Sequence, residues 1–124
     1  MIPKFRFFLK DTNQILDVKS IFFELGIVML SNDKFYEFED IILMQSTGLH
    51  DEQGVEIFEG DIVEIIYDSE PFTGVVVYDL GEADFKATNN REDYGNNFQY
   101  LTVGESIEVI GDIYQNQELL EVEE

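Results

Sequence analysis

The sequence predicts an all-β protein, a small barrel or sandwich built from short antiparallel strands. Three observations carry this reading. Apolar and polar residues alternate along much of the chain, which is the period of a half-buried strand. The apolar runs are rich in Phe, Tyr, Val and Ile, side chains that fit a pleated surface. Clusters of Gly, Asn and Asp punctuate the runs at short intervals. There is no strand–helix–strand alternation, no heptad and no long amphipathic helix. A length of 124 residues fits one domain, and eleven Phe and six Tyr give it material for a core.

Taken in order, "KFRFFL" reads as a strand, "DTNQ" as a turn and "ILDV" as the returning arm of a hairpin. "IFFEL" and "IVML" are further apolar runs with Gly26 between them, and "SND" ends the pattern. "FYEFEDIILMQ" reads as one extended run, because Phe, Tyr and Ile favour strand over helix there. "EGDIVEIIYD" is the clearest strand, with Val63, Ile65 and Tyr67 on one face and Ile62, Glu64, Ile66 and Asp68 on the other. "SEPFTG", holding Pro71 and Gly74, reads as a loop into "GVVVYDL", so that residues 61–68 and 75–80 form neighbouring antiparallel strands. "GEAD" closes the second of these. Residues 87–97, "ATNNREDYGNN", read as a surface loop. "FQYLTV" and "GESIEVIGDIY" supply the last strands, and "QELLEVEE" a short helix or an acidic tail. The triplet "GDI" occurs twice, at residues 60–62 and 111–113, and predicts two similar turns.

Charge and composition narrow the function. The net charge is -20, from 27 acids against 7 bases. Such a chain lacks the Lys and Arg needed to displace counterions from a phosphate backbone, so direct nucleic-acid binding is not expected. Adhesion to an anionic membrane surface is disfavoured for the same reason. No stretch approaches the ~18 apolar residues of a membrane span, and the first residues lack the apolar core of a secretory signal. Cysteine is absent, which removes disulfides, thiolate chemistry and Cys-ligated zinc. The expected location is the cytoplasm. Five of the seven bases lie in the first 34 residues, whereas residues 35–84 hold acids and no base. The two ends are thus oppositely biased, within one chain or between copies.

Residues 47–65, "TGLHDEQGVEIFEGDIVEI", concentrate the chemistry-bearing side chains. Asp51, Glu52, Glu56, Glu59 and Asp61 could offer hard oxygen ligands to a divalent cation. The EF-hand spacing is missing, however, and His50 is the chain's only histidine. Ser46, His50 and Asp51 compose a triad on paper without any strained nucleophile turn. The reading that accounts for the most residues is scaffolding. Gly48 releases the chain from the "ILMQS" strand, Asp51 and Gly54 form a turn, and Gly60 and Asp61 redirect the chain into the next strand. Glu59 precedes that turn, and Gly111 and Asp112 repeat it. No metal, cofactor or catalytic residue is expected.

"LMQSTGLHDEQGVEIFEGDIVEI" (residues 43–65), then "GVVVYD" (74–79) and "IEVIGDIYQNQELLE" (107–121), resemble the YopX proteins of phages and prophages. That family's long motif runs approximately L-M-Q-[YF]-T-G-L-x-D-x-x-G-x-E-I-[YF]-E-G-D-I-[VL], and its closing motif I-E-V-I-G-[ND]-I-Y-E-N-P-E-L-L. Asp112, Gln115 and Gln117 fall at variable or altered places of the second. The opening "KFRFFLKDTNQIL" is similar to the family's start, with Phe8 where Trp is usual and Leu9 and Lys10 inserted before Asp11. The resemblance implies a phage-encoded accessory protein of one β-rich domain over residues 1–124. It would have N-terminal strands over 1–45, an SH3-like barrel over 46–124 and a variable loop near 83–103. It implies no biochemical activity.

The function expected from these readings is protein–protein contact, as a homo-oligomer or with a host or phage protein, and not catalysis. The alternative expectation is an acidic nucleic-acid mimic that occupies a host protein's DNA site.

Overall fold

In the computed structural model, which describes residues 4–89, 98–102 and 104–120, the chain folds into eleven strands and two single 3-10 turns, all-β as expected. It divides into two compact units, Met1–Ser46 and Thr47–Glu124. The strands form two antiparallel sheets, one of six and one of five.

In the first unit, β1 (Phe5–Leu9) turns through residues 10–13 into β2 (Gln14–Phe22), then β3 (Ile27–Leu30) and β4 (Phe35–Glu37). Asn13 takes the left-handed conformation in the first turn, a position Asn tolerates. The β1–β2 register pairs Phe7 with Leu16 and Leu9 with Gln14. β5 (Ile41–His50) returns beside β1, with Phe7 opposite Leu43 and Leu9 opposite Ile41. The six-stranded sheet runs β4-β3-β2-β1-β5-β6, its last strand being β6 (Glu56–Phe58). Residues 35–45 are therefore not one extended run. β4 is an edge strand and β5 lies on the far side of β1, so no straight strand could occupy both places. A 3-10 turn at Phe38–Asp40 makes the change of direction, with the Phe38 amide bonded to the Gly26 carbonyl. Phe7, Leu9, Val28, Leu30 and Ile41 form the buried core of this unit, with Leu16, Val18, Ile21 and Tyr36 packed against it.

In the second unit the end of β5 leads to β6 (Glu56–Phe58), β7 (Asp61–Tyr67), β8 (Glu70–Asp79), β9 (Asp84–Thr88), β10 (Phe98–Tyr100) and β11 (Ser106–Asp112). The sheet order is β10-β9-β8-β7-β11. Among the described residues this ladder is open, ending at β10 and β11, and a closed barrel is not formed. The core is Ile57, Val63, Ile65, Val76, Ala87 and Leu101.

Two expected loops prove to be partly strand. Residues 70–74 of the first belong to β8. β7 and β8 join through Asp68 and Ser69 alone, both at positive φ (54° and 67°), with Tyr67 directly opposite Glu70. This is the primed hairpin geometry that matches strand twist, made here without glycine. Pro71 is tolerated because β9 pairs only with residues 75–79 of β8, leaving the proline half without a neighbour on that side. Gly74 lies within the strand because the neighbouring chain comes close. A Cβ there would sit 3.0 Å from the Thr88 amide nitrogen and 3.1 Å from the Ala87 carbonyl carbon. Ala87 and Thr88, expected in a surface loop, are buried in β9. Residues 90–97 of that expected loop lie outside the described residues. Of "FQYLTV", Phe98–Tyr100 is strand and Leu101 and Thr102 are turn, while residue 103 lies outside the described residues.

The two "GDI" triplets are not equivalent turns. The first opens β7 and the second closes β11, and they lie across the ladder from each other, Gly111 beside Ile62 and Asp112 beside Asp61. At the C-terminal end a 3-10 turn, Gln117–Leu119, stands where a short helix was one alternative, and residues 121–124 lie outside the described residues.

Candidate functional site

The acidic segment of residues 47–61 is built around its own backbone. Thr47 donates its hydroxyl to the Ile57 carbonyl at 2.8 Å, tying β5 to β6. Gly48 has φ +83° but stays within β5, so the strand runs on to His50 instead of ending at the glycine. Asp51 then closes a tight loop. Its Oδ1 accepts the amides of Gln53 (2.9 Å) and Val55 (2.8 Å), and its amide donates to the Val55 carbonyl at 2.8 Å. Gly54 adopts φ +86° at the tip. The other carboxylate oxygen, Oδ2, accepts the amide of Val109 at 2.9 Å, and the Glu52 amide donates to the Ile107 carbonyl at 3.1 Å. The Asp51 loop thereby stands where a further strand would pair with the outer edge of β11. Burial is the largest single influence on the Asp51 carboxyl and pushes its pKa up. The amides of Val109, Val55, Gln53 and Gly54 together outweigh it and hold the group below its ordinary value of 3.8.

Asp61 and Asp112 are likewise occupied by backbone. Asp61, 2% exposed, accepts the Phe58 amide on Oδ2 at 2.8 Å. Asp112 accepts the amides of Tyr114 (3.0 Å) and Gln115 (2.9 Å) on Oδ1. Gly60 takes φ +93° between the Val76 carbonyl, which receives its amide, and the Ile113 amide, which donates to its carbonyl. Gly111 backs onto Asn116, whose Oδ1 would lie 2.8 Å from an added Cβ. Glu59 is half-buried beside Gly60. Among the described residues no group of three or more His, Asp or Glu side chains is arranged to hold a metal ion. His50 is exposed and lines a shallow depression of about 210 Å³ with Glu52, Glu105 and Ser106. The Ser46 amide is bonded to the Lys4 carbonyl in the strand ladder.

Two features were not legible as sites in the sequence. The first is a cationic pin in the second unit. The Lys86 ammonium, on a side chain only 7% exposed, lies 2.7 Å from Asp79 and 3.1 Å from Glu82. It also sits 4.0 Å from the centroid of the Phe98 ring and 5.5 Å from that of Tyr100. The Tyr100 hydroxyl donates to Glu82 at 2.9 Å. The Asp79 hydrogen bond raises the Lys86 pKa, and the same bond heads the influences that lower that of Asp79. The Glu82 carboxylate raises the Tyr100 phenol. The only sequence signal was a lysine between two apolar residues, Phe85 and Ala87, in "DFKAT".

The second feature is an apolar groove of about 360 Å³ in the first unit. It is lined by Phe5 and Phe7 of β1, Ile21 of β2, Phe23, Phe38, and Ile41 and Leu43 of β5. Phe7, Ile21 and Ile41 also belong to or pack on this unit's core, so the groove is where that core meets the surface. Phe23 is 77% exposed, Phe38 41% and Leu43 44%. The i, i+2 spacing of Phe5 with Phe7 and of Ile41 with Leu43 is the same-face period of a strand. Sequence reading took the Phe and Tyr content as material for a core and could not tell which of these residues a 46-residue unit would leave uncovered.

The fold has solved counterparts. It is similar to protein EF1440 from Enterococcus faecalis, with a TM-score of 0.63 at 23% identity over 97% of this chain and 99% of that one. It is also similar to protein yopX from Bacillus subtilis, with a TM-score of 0.55 at 22% identity over 94% and 96%. None of the curated proteins matches the chain. No helix among the described residues is long and apolar enough to cross a membrane. The YopX protein family model matches residues 4–121, nearly the whole sequence, and the chain belongs to that family.

Proposed function

We propose that this protein is a non-catalytic protein-interaction module, an accessory protein of the phage or prophage setting that the family resemblance implies. The observation that carries the reading is the groove of the first unit. Its walls are apolar side chains from four stretches of chain, three of them more than one-third exposed, with no titratable group among the lining residues. Exposed contiguous apolar surface in a folded chain marks contact with another molecule. The carboxylates that could have served chemistry, Asp51, Asp61 and Asp112, instead hold backbone amides.

We infer further that the second unit is an SH3-like barrel in open form. The support is its strand order, a meander of β7, β8, β9 and β10 with β11 returning beside β7. Pairing of one copy with another, expected from the sequence, is one of the two outcomes that the test below reads.

The test compares the wild type with Phe23→Ser. Light scattering coupled to size exclusion reads assembly, and capture from host extract reads partners. An oligomer dispersed by the substitution, or a protein retained only by the wild type, supports the reading. A wild-type monomer with a capture profile identical to the variant's refutes it.

A further inference from the structure

We propose that the groove of the first unit receives an apolar segment flanked by lysine or arginine, belonging to a different protein and not to a second copy of this chain. The inference rests on the interaction reading above and deepens it by naming the chemistry of the occupant.

The argument is charge complementarity around an apolar slot. Of the exposed charged residues adjacent in sequence to the groove's lining side chains, four are acids and one, Lys4 before Phe5, is a base. Glu24 follows Phe23, Glu37 precedes Phe38, and Glu39 and Asp40 follow it. The placement is spatial as well as sequential. Glu37 and Glu39 line a second depression that shares Phe38 with the groove. Lys10 reaches this rim, but it donates to the Glu39 carbonyl oxygen at 3.0 Å and leaves the neighbouring carboxylates in excess. An apolar floor with an acidic border favours a ligand that inserts Phe, Leu or Met and surrounds them with cations. A second copy meeting the same face would bring Glu24, Glu37, Glu39 and Asp40 against their own kind, in a chain whose net charge is already -20. Like charges brought together at a contact suppress that pairing. The overall charge also steers a basic segment toward the chain before contact.

The test uses the full chain and three labelled synthetic peptides that share the same Phe and Leu anchors. One is flanked by four Lys, one by four Ser and one by four Glu. Binding is followed by fluorescence anisotropy at 20 and 300 mM salt, with light scattering on the free protein. The expected order is Lys over Ser over Glu. The Lys-flanked peptide should weaken about tenfold with Phe23→Ser and several-fold at the higher salt. Glu37→Gln combined with Glu39→Gln should narrow the gap between the Lys and Ser peptides. All three positions are exposed, so the variants retain the fold, checked by circular dichroism.

Equal binding of the three peptides overturns the charge argument and leaves the interaction module standing. Binding of the Lys peptide that ignores Phe23→Ser overturns the groove as its site. A dimer dispersed by Phe23→Ser makes the second copy the occupant, which overturns this inference while supporting the broader reading. No binding by any peptide, from a protein that stays monomeric, overturns this inference and leaves the broader reading to the capture experiment.

Discussion

The Asp51 carboxylate accepts the amide of Val109, 58 positions further along the chain, at 2.9 Å. A side chain here does what a neighbouring strand does elsewhere, since Val109 lies in β11, at the end of the five-stranded sheet. The other carboxylate oxygen is spent on the Gln53 and Val55 amides, so one residue both shapes its loop and fastens that loop to the sheet.

Asp51→Ala should therefore destabilise the protein by about 3 kcal/mol, because several amides lose a charged acceptor at once. Urea denaturation followed by circular dichroism measures it. Asp51→Asn should cost less, since one carbonyl oxygen remains. A loss within experimental error for Asp51→Ala would sink the clamp.

The same residue sets a pH dependence. Its folded pKa lies below the ordinary 3.8, so the ionised form is favoured by folding. That stabilisation is fully present above 3.8 and is lost as pH falls through the lower, folded value. The stability difference between wild type and Asp51→Asn should hence be constant near neutrality and shrink as the pH is taken below 3.8. Denaturation midpoints for both proteins across this range check the sign.

Around Lys86, the Glu82 carboxylate raises the Tyr100 phenol and accepts its hydroxyl. Glu82→Gln should bring the Tyr100 pKa down toward its ordinary value of 10.0. Carbon-13 labelling of the tyrosine rings resolves this residue from the other five. An unchanged titration would remove Glu82 as the cause.

Two glycine substitutions should separate packing from backbone strain. Gly54→Ala meets open space and suffers only from φ +86°, a cost of about 1–2 kcal/mol. Gly74→Ala has no positive φ but drives its methyl into the Thr88 and Ala87 backbone, a cost of about 1–3 kcal/mol. Replacing Ser69 by glycine should reverse the sign and stabilise the β7–β8 hairpin by up to about 1 kcal/mol, because it relieves a left-handed non-glycine. Thermal unfolding of the three variants tests the set.

The strands were legible wherever local alternation decided them, as in "EGDIVEIIYD" and the first hairpin. Their ends were not, because sheet neighbours decide those. Pro71 and Gly74 read as loop by local propensity, yet β8 carries both, one where a neighbour is missing and the other where a neighbour is very close. Residues 35–45 read as one strand because nothing in their pattern reveals that β1, β2 and β3 separate β4 from β5. The aspartates of "HDEQGVEIFEGD" could be seen as turn residues. That Asp51 reaches β11 could not, since the pairing joins positions 58 apart. The groove was hidden for a related reason. Hydrophobic pattern marks a face as apolar without saying whether the fold has enough chain to cover it.

The Asp51 loop over β11 also ties the protein's colloidal behaviour to acid. Near the isoelectric point of about 4.1 the repulsion that keeps molecules apart vanishes. Below the ordinary 3.8, as pH falls through the lowered value of Asp51, protonation loosens the loop and bares a strand margin able to template growth. Acid thus removes two separate safeguards against clumping. Turbidity on acidification should rise earlier for Asp51→Asn than for the wild type.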